Sequence, residues 1–264
     1  MENSDKNRLT DVSNWDDQWS QIQTLKKIAT NDPILGTNGA FLRSLESRIG
    51  PIPESTVIEL GAAASAYLLC LAKFRNVSAT GVDYSEIGLE HLKKMFRQED
   101  LTLETIKGDL WEIDYSNNQY DFVVHWGLIE HFINPENVLD LSSRLLKPEG
   151  RLIFTMPNML AFGVGCWKRW DGLDFSRHIF HPRALLKRIG SEVGLELEED
   201  FYWGAPLLFN IGYWRKDGGI LPSAIKLFVR ASSLVNRIFP FYHLGNRFFS
   251  SQHAYIFRKI EKLP

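Results

Sequence analysis

The chain has 264 residues, of which 44% are apolar and 23% charged, and its formal net charge is −2. These are the proportions of a globular protein with one large α/β domain or two small ones, and they exclude a disordered, collagenous or integral membrane class. Cys70 and Cys166 stand far apart without metal-ligand spacing, Met1 to Thr10 has no signal-like apolar region, and no run is long enough to span a bilayer, so a reducing, cytoplasmic setting without disulfides is expected.

The first fifty residues hold Trp15, Trp19 and a helix-like stretch from Phe41 to Ile49 that Pro51 and Pro53 end, which reads as a helical N-terminal cap over residues 1–50. From residue 51 the periodicity changes. Thr56-Val-Ile-Glu-Leu60 is a short buried strand, Ser65 to Phe74 a helix, Ala79 to Asp83 a second strand and Ser85 to Arg97 a second helix. Strands near Leu103 to Lys107, Phe122 to His125 and Arg151 to Thr155 follow, with a helix from Pro135 to Leu146 between the last two. A helix from Pro182 to Val193 and strands from Leu195 to Tyr202 and His253 to Ile260 complete a domain over 51–264. Strands alternating with helices imply an α/β, doubly wound, mostly parallel sheet.

The roughly fifty residues between the last two strands form a helical, lid-like insertion over 204–250. In it Ile225, Phe228, Val229, Val235 and Ile238 fall near helical spacing, with Lys226, Arg230 and Arg237 on an adjacent face. Residues 218–264 carry a local charge of +6, which leaves −8 in the remainder. That balance disfavours nucleic-acid binding by the whole protein and gives its C-terminal end a basic, apolar face.

The chemistry concentrates at Glu59-Leu-Gly-Ala-Ala-Ala-Ser65, between the first strand and its helix, with Asp83 twenty-two residues after Gly61 at the end of the second strand. In doubly wound sheets the ligand sits beyond the carboxyl ends of the strands, the first turn lets backbone approach it, and the acid after the second strand accepts hydrogen bonds from ribose hydroxyls. A dinucleotide would want glycine where Ala63 stands, because a Cβ there hinders a pyrophosphate. Glu59 beside the turn suits a cationic ligand instead, and S-adenosylmethionine is one.

Further motifs in order sharpen this reading. Glu59 to Ser65 resembles the acidic-x-Gly-x-Gly-x-Gly turn of class I, Rossmann-like S-adenosylmethionine-dependent methyltransferases, with Gly61 kept and Ala63 and Ser65 in place of the other two glycines. Lys107-Gly-Asp-Leu110 resembles the family's adenine loop, and Tyr120 to Phe132 and Leu145 to Asn158 are similar to its fourth and fifth strand segments in the small-molecule branch. The resemblance covers about Val57 to Phe201. It implies a seven-stranded sheet with an antiparallel last strand, a role His253 to Ile260 suits. It also implies donor contacts from Glu59, Gly61, Ala63, Asp83 with its neighbour Tyr84, Asp109 with Leu110, and His125 at the end of the fourth strand.

Asp174-Phe-Ser-Arg-His-Ile-Phe-His-Pro182 resembles a segment that relatives place over the acceptor. It makes His178 the first candidate for general base, with His125 the second, since an imidazole near pKa 6.5 is largely free to take a proton at neutral pH. Glu130 and His131 read as residues that pack and orient their loop, and His181 as a helix-start residue. Asp83 also suits a helix cap and Asp109 a plain turn. Trp15, Trp19, Trp126, Trp167, Trp170 and Trp203 divide between core and acceptor wall.

The expected reaction is methyl transfer to a small-molecule acceptor, a hydroxyl oxygen first, of an apolar or lipid-like compound, leaving S-adenosylhomocysteine. No metal is expected. The alternatives are an N-methyltransferase, a non-catalytic donor-binding or scaffold protein, and a nicotinamide-dependent oxidoreductase, which Ala63 disfavours. The basic insertion has three readings: a lid, a peripheral membrane contact through 221–249, or a dimer interface. The lid comes first.

Overall fold

The computed structural model describes residues 8–21, 37–170, 172–206 and 245–260. In chain order, α1 (Val12–Ser20) and α2 (Thr37–Ile49) precede β1 (Thr56–Leu60), α3 (Ala66–Arg75), β2 (Ser78–Asp83), α4 (Glu86–Arg97), β3 (Glu104–Lys107) and β4 (Tyr120–Trp126). Then come α5 (Glu136–Leu145), β5 (Leu146–Pro157), α6 (Val164–Trp170), α7 (Gly172–Phe175), α8 (Arg183–Glu192), β6 (Leu195–Pro206) and β7 (Ser250–Lys259). The seven strands form one sheet in the order β3-β2-β1-β4-β5-β7-β6, parallel except that β7 runs antiparallel to both its neighbours. This is the doubly wound α/β sheet the alternation of elements implies. Most of the insertion expected over 204–250, and with it the basic face at 221–249, lies outside the described residues.

The central strands β1 and β4 are largely apolar runs because both of their faces are covered. Successive side chains point to opposite faces, so β1 sends Val57 into one hydrophobic cluster and Ile58 and Leu60 into the other, while β4 divides Phe122 and Val124 from Val123. The first cluster is closed by α3, α4 and α2, whose Phe41, Leu42 and Leu45 are buried; the second is closed by α5 and α8. The stretch read as a cap is therefore partly core: Phe41 packs 4.5 Å from Trp203 and 5.1 Å from Trp126, ring centre to ring centre.

One boundary differs from the sequence reading. β5 begins at Leu146, five residues before the expected strand, because Glu149 takes a positive φ of 63° and carries the chain through a register shift against β4 without ending the ladder.

The strand order reverses between β1 and β4, and a crevice opens there beyond their carboxyl ends. Helix α1 lies over that end, held by a bond from the His91 ring to the carbonyl of Trp19 (3.1 Å) and one from the Ser85 hydroxyl to Asp16 (2.5 Å). No helix of the described residues is long and apolar enough to cross a membrane.

Candidate functional site

Two cavities meet at the crevice. The first, about 360 Å³, is lined by Gly61, Ala63, Asp83, Tyr84, Asp109 and Leu110 from the strand ends, with Glu59 beneath and Arg8, Trp15 and Trp19 from the N-terminal segment above. The second, about 250 Å³, is lined by Trp15, Trp126, Glu130, Trp167, Arg177 and His178, among others. Thr10, Trp15, Trp126, Gly127 and His131 line both, so the chambers share a wall.

The turn after β1 is shaped by a few bonds. The amides of Gly61 and Ala62 both donate to the carbonyl of Val82, at 2.9 Å each, tying the turn to β2. Gly61 has φ +73°, and a Cβ there would approach Leu128 to 3.1 Å. Ala64, not a glycine, holds a second left-handed position at φ 51°.

The two departures from the family's glycines have local uses. Ser65 caps α3 by accepting from the amide of Leu68 (3.2 Å) and donates its hydroxyl to Glu59 (2.7 Å). Ala63 fits because Gly88 faces it: a Cβ on Gly88 would stand 2.4 Å from that of Ala63 and 3.1 Å from Trp19. Gly88 thus supports the turn from behind, a role that the sequence reading missed, since nothing in a lone glycine inside a helix says which turn it faces.

Asp83 ends β2 as a buried carboxylate. One oxygen accepts from the amide of Ala63 (3.0 Å) and the other from that of Ser85 (2.8 Å). Ser85 rather than Asp83 is the N-cap of α4. Burial lifts the Asp83 pKa to about 6 against the pull of those amides, and the nearby Asp16 adds to the rise. Glu59 is 1% exposed, and burial pushes it up to about 8, opposed by the Ser65 hydroxyl and the Trp126 indole beside it. Both acids therefore line the first cavity with burial as the dominant influence on their charge.

Asp109 is ion-paired with Arg8, whose guanidinium lies 5.6 Å from the centre of the Tyr84 ring. Arg8 was invisible as a site residue because it sits in a polar stretch without a motif. The segment around it is pinned by the Leu9 amide, which donates to the carbonyl of His131 (2.8 Å).

The histidines separate. His125 lines neither cavity: it is fully buried, stacked 4.7 Å from Phe154, with neither ring nitrogen hydrogen-bonded, and burial drives its pKa down to about 3. The sequence reading put it at the donor; strand alternation turns it to the opposite face from Trp126, which does border both chambers. His178 stands in the second chamber, its Nδ1–H donating to the carbonyl of Asp174 (2.8 Å). His131, read as a packing residue, forms part of the shared wall, 4.6 Å from His178 between ring centres, and its Nδ1–H donates to the carbonyl of Arg177 (2.8 Å). Of the tryptophans, Trp19 borders the first cavity, Trp167 the second, Trp15 and Trp126 both, and Trp203 is core.

A model of the methyltransferase-domain family matches residues 36–200. The chain belongs to that family. Among curated relatives, a ubiquinone biosynthesis O-methyltransferase of Coxiella burnetii is 25% identical over 158 residues, 60% of this chain and 64% of that protein. The glycine/sarcosine/dimethylglycine N-methyltransferase of Actinopolyspora halophila is 25% identical over 118 residues, 44% of this chain. The match thus spans less than two thirds of either relative, 64% of the first and 21% of the second.

Solved structures share the fold. Phosphoethanolamine N-methyltransferase 2 of Haemonchus contortus, solved with S-adenosyl-L-methionine, superposes with a TM-score of 0.60 at 16% identity over 96% of this chain and 60% of that one. The geranyl diphosphate C-methyltransferase of Streptomyces coelicolor gives 0.58 at 10% identity, over 94% and 98%.

The first cavity fits S-adenosylmethionine on its own geometry. The Asp83 carboxylate has acceptor capacity beyond its two amides, as paired ribose hydroxyls require. The buried Glu59 faces the same space, and among the described residues its carboxyl is met by the Ser65 hydroxyl and by no cation, which suits a sulfonium or ammonium group.

Proposed function

We propose that this methyltransferase moves the methyl group of S-adenosylmethionine to a small-molecule acceptor held in the second chamber, with a hydroxyl oxygen as nucleophile. The observation that carries this reading is the shared wall. Trp126, Gly127 and His131 border both spaces, so a donor lying on Asp83 and Glu59 can present its methyl group to the neighbouring chamber.

In the proposed step the acceptor oxygen attacks the methyl carbon, the carbon–sulfur bond breaks, and its electron pair returns to sulfur as neutral S-adenosylhomocysteine. The acceptor's proton goes to His178. Its Nδ1–H is engaged by the Asp174 carbonyl, which leaves the lone pair of the neutral ring on Nε2. Alignment of two bound reactants is worth up to roughly 7–11 kcal/mol, and the base adds about 10²- to 10⁴-fold.

Three indole rings and Arg177 around the second chamber favour a planar or apolar acceptor carrying an anionic group. The O-methylating relative supports oxygen as the acceptor atom, and the N-methylating one keeps nitrogen as the second reading. The basic face at 221–249 supports a lipid-like acceptor reached at an anionic membrane surface.

Calorimetry with the donor, followed by a mass-shift screen of hydroxylated and aminated small molecules, tests the reading. Binding of donor and a gain of one methyl group on a hydroxyl compound is the expected result; absence of donor binding favours a scaffold protein instead. Liposomes containing anionic lipid should retain the full chain and release a chain lacking 221–249.

A further inference from the structure

The chain places Glu130 and His131 side by side in a short 3-10 turn, Ile129–His131, directly after β4, and brings His178 back to them from the segment after α7. One ligand-type atom from each of the three lies within 4.8 Å of the other two, at the floor of the second chamber. Among the described residues this is the cluster of histidine and acid that converges on a point.

The surroundings are those of a metal site. Glu130 is 2% exposed and its Oε2 has no hydrogen-bond partner, an arrangement that is costly for a carboxyl group unless something else meets it. Each histidine is oriented from behind: the Nδ1–H of His131 donates to the carbonyl of Arg177 and that of His178 to the carbonyl of Asp174, both at 2.8 Å. That is how metal-ligating imidazoles are commonly held, with one nitrogen on a backbone carbonyl and the lone pair of the other turned to the ion.

We propose that Glu130, His131 and His178 bind one divalent transition cation, zinc first, through a carboxylate oxygen and the Nε2 atoms of the two rings. Two imidazoles and one carboxylate suit zinc and its neighbours rather than magnesium or calcium, which take oxygen shells. A tetrahedral shell with bonds of roughly 2.1 Å sets ligand atoms about 3.4 Å apart, so atoms that now lie within 4.8 Å of one another must draw in by up to about 1.4 Å on binding. Three protein ligands leave a fourth position, and all three residues line the second chamber.

The purpose of the site rests on the reading of that chamber as the acceptor's. A cation there would lower the pKa of an acceptor hydroxyl in the fourth position so that its proton leaves to solvent, and His178 would act as ligand instead of proton acceptor. The existence of the site does not depend on that reading.

The test titrates chelator-treated full-length protein with Co²⁺, followed by visible absorption, and with Zn²⁺ by calorimetry. One equivalent should bind with a ligand-field spectrum, and Zn²⁺ should raise the melting temperature. Glu130→Gln and His178→Ala should each weaken binding by more than the roughly 10- to 100-fold that loss of a supporting group costs, and should abolish the thermal shift. Both variants should still bind S-adenosylmethionine, because neither residue lines the donor cavity. Absence of a one-to-one cobalt complex, or a complex that both variants keep, overturns the site. Metal binding without donor binding leaves the site standing and removes the methyl-transfer reading; donor binding without metal does the reverse.

Discussion

The two chambers share a wall yet are built from different material. The first cavity is framed by consecutive strand ends, so its geometry follows from the sheet: the turn after β1, Asp83 at the end of β2 and Asp109 after β3 lie side by side because β1, β2 and β3 are neighbours in register. The second chamber draws Trp15 from α1, Glu130 and His131 from the turn after β4, Trp167 from α6, and His178 from the loop before α8. A framework that any doubly wound sheet supplies can be recognised by motif, whereas a chamber closed by separate loops belongs to the individual protein.

If the chambers divide donor from acceptor, substitutions in them should separate two measurements. His178→Ala is expected to cut turnover by about 10²- to 10⁴-fold while donor affinity stays within about threefold, since His178 does not line the donor cavity. Asp83→Ala should do the opposite at the first step and weaken donor binding by about 10²-fold, the equivalent of one or two charge-assisted hydrogen bonds at roughly 1.5–3 kcal/mol each. Calorimetry and initial rates on both variants decide this. A His178→Ala protein with full turnover would end its role in the chemistry.

Gly88 offers a way to damage the donor chamber without touching the donor. Its added methyl group would meet the Cβ of Ala63, which cannot swing aside, and the Trp19 ring. Gly88→Ala should therefore cost about 1–3 kcal/mol of stability by overpacking and lower donor affinity as the turn and α1 shift. Chemical denaturation with donor calorimetry measures both. Retention of wild-type stability would mean that α4 sits farther from the turn than its packing indicates.

Glu59 gives the chamber a proton signature. Its ordinary pKa is near 4.5 and burial raises it to about 8, so at pH 7 the ligand-free protein holds it mostly neutral. The sign follows: a raised carboxyl pKa means that stability from the neutral form falls as pH rises from about 4.5 through 8. A cationic donor favours the charged form, so its binding at pH 7 should release close to one proton. Calorimetry in two buffers of different ionisation heat reads that number, and Glu59→Gln should reduce it to near zero.

The same contrast explains how much could be read beforehand. The strand and helix sequence from β1 to α5 was legible because apolar runs of strand length alternate with helical periodicity, and the lining of the first cavity because its residues sit within a few positions of strand ends. Glu59, Gly61, Ala63, Asp83, Tyr84, Asp109 and Leu110 all line the first cavity. His125 went astray although the signal was present: it follows Val124 and precedes Trp126, and only one of two adjacent strand residues can face the crevice. The grouping of Glu130, His131 and His178 had no local trace, because forty-seven residues separate the last two and only folding brings them together. Arg8 on Asp109 is the same kind of long-range contact.

The smallest effect probes the turn itself. Ala64 sits at φ 51°, a left-handed conformation that costs an alanine roughly 1–2 kcal/mol relative to glycine. Glycine loses about 0.5–1 kcal/mol more than alanine when the unfolded chain is ordered, so the two contributions nearly cancel. Ala64→Gly should leave the protein equally stable or stabilise it by under about 1 kcal/mol, a rise of no more than roughly 4 °C in Tm for a chain this long. Ala64→Val should move the other way, because its branched Cβ crowds the left-handed backbone more than a methyl does. Thermal unfolding of the pair reads the sign directly, and a Gly variant less stable than the Val one would mean that residue 64 is not left-handed.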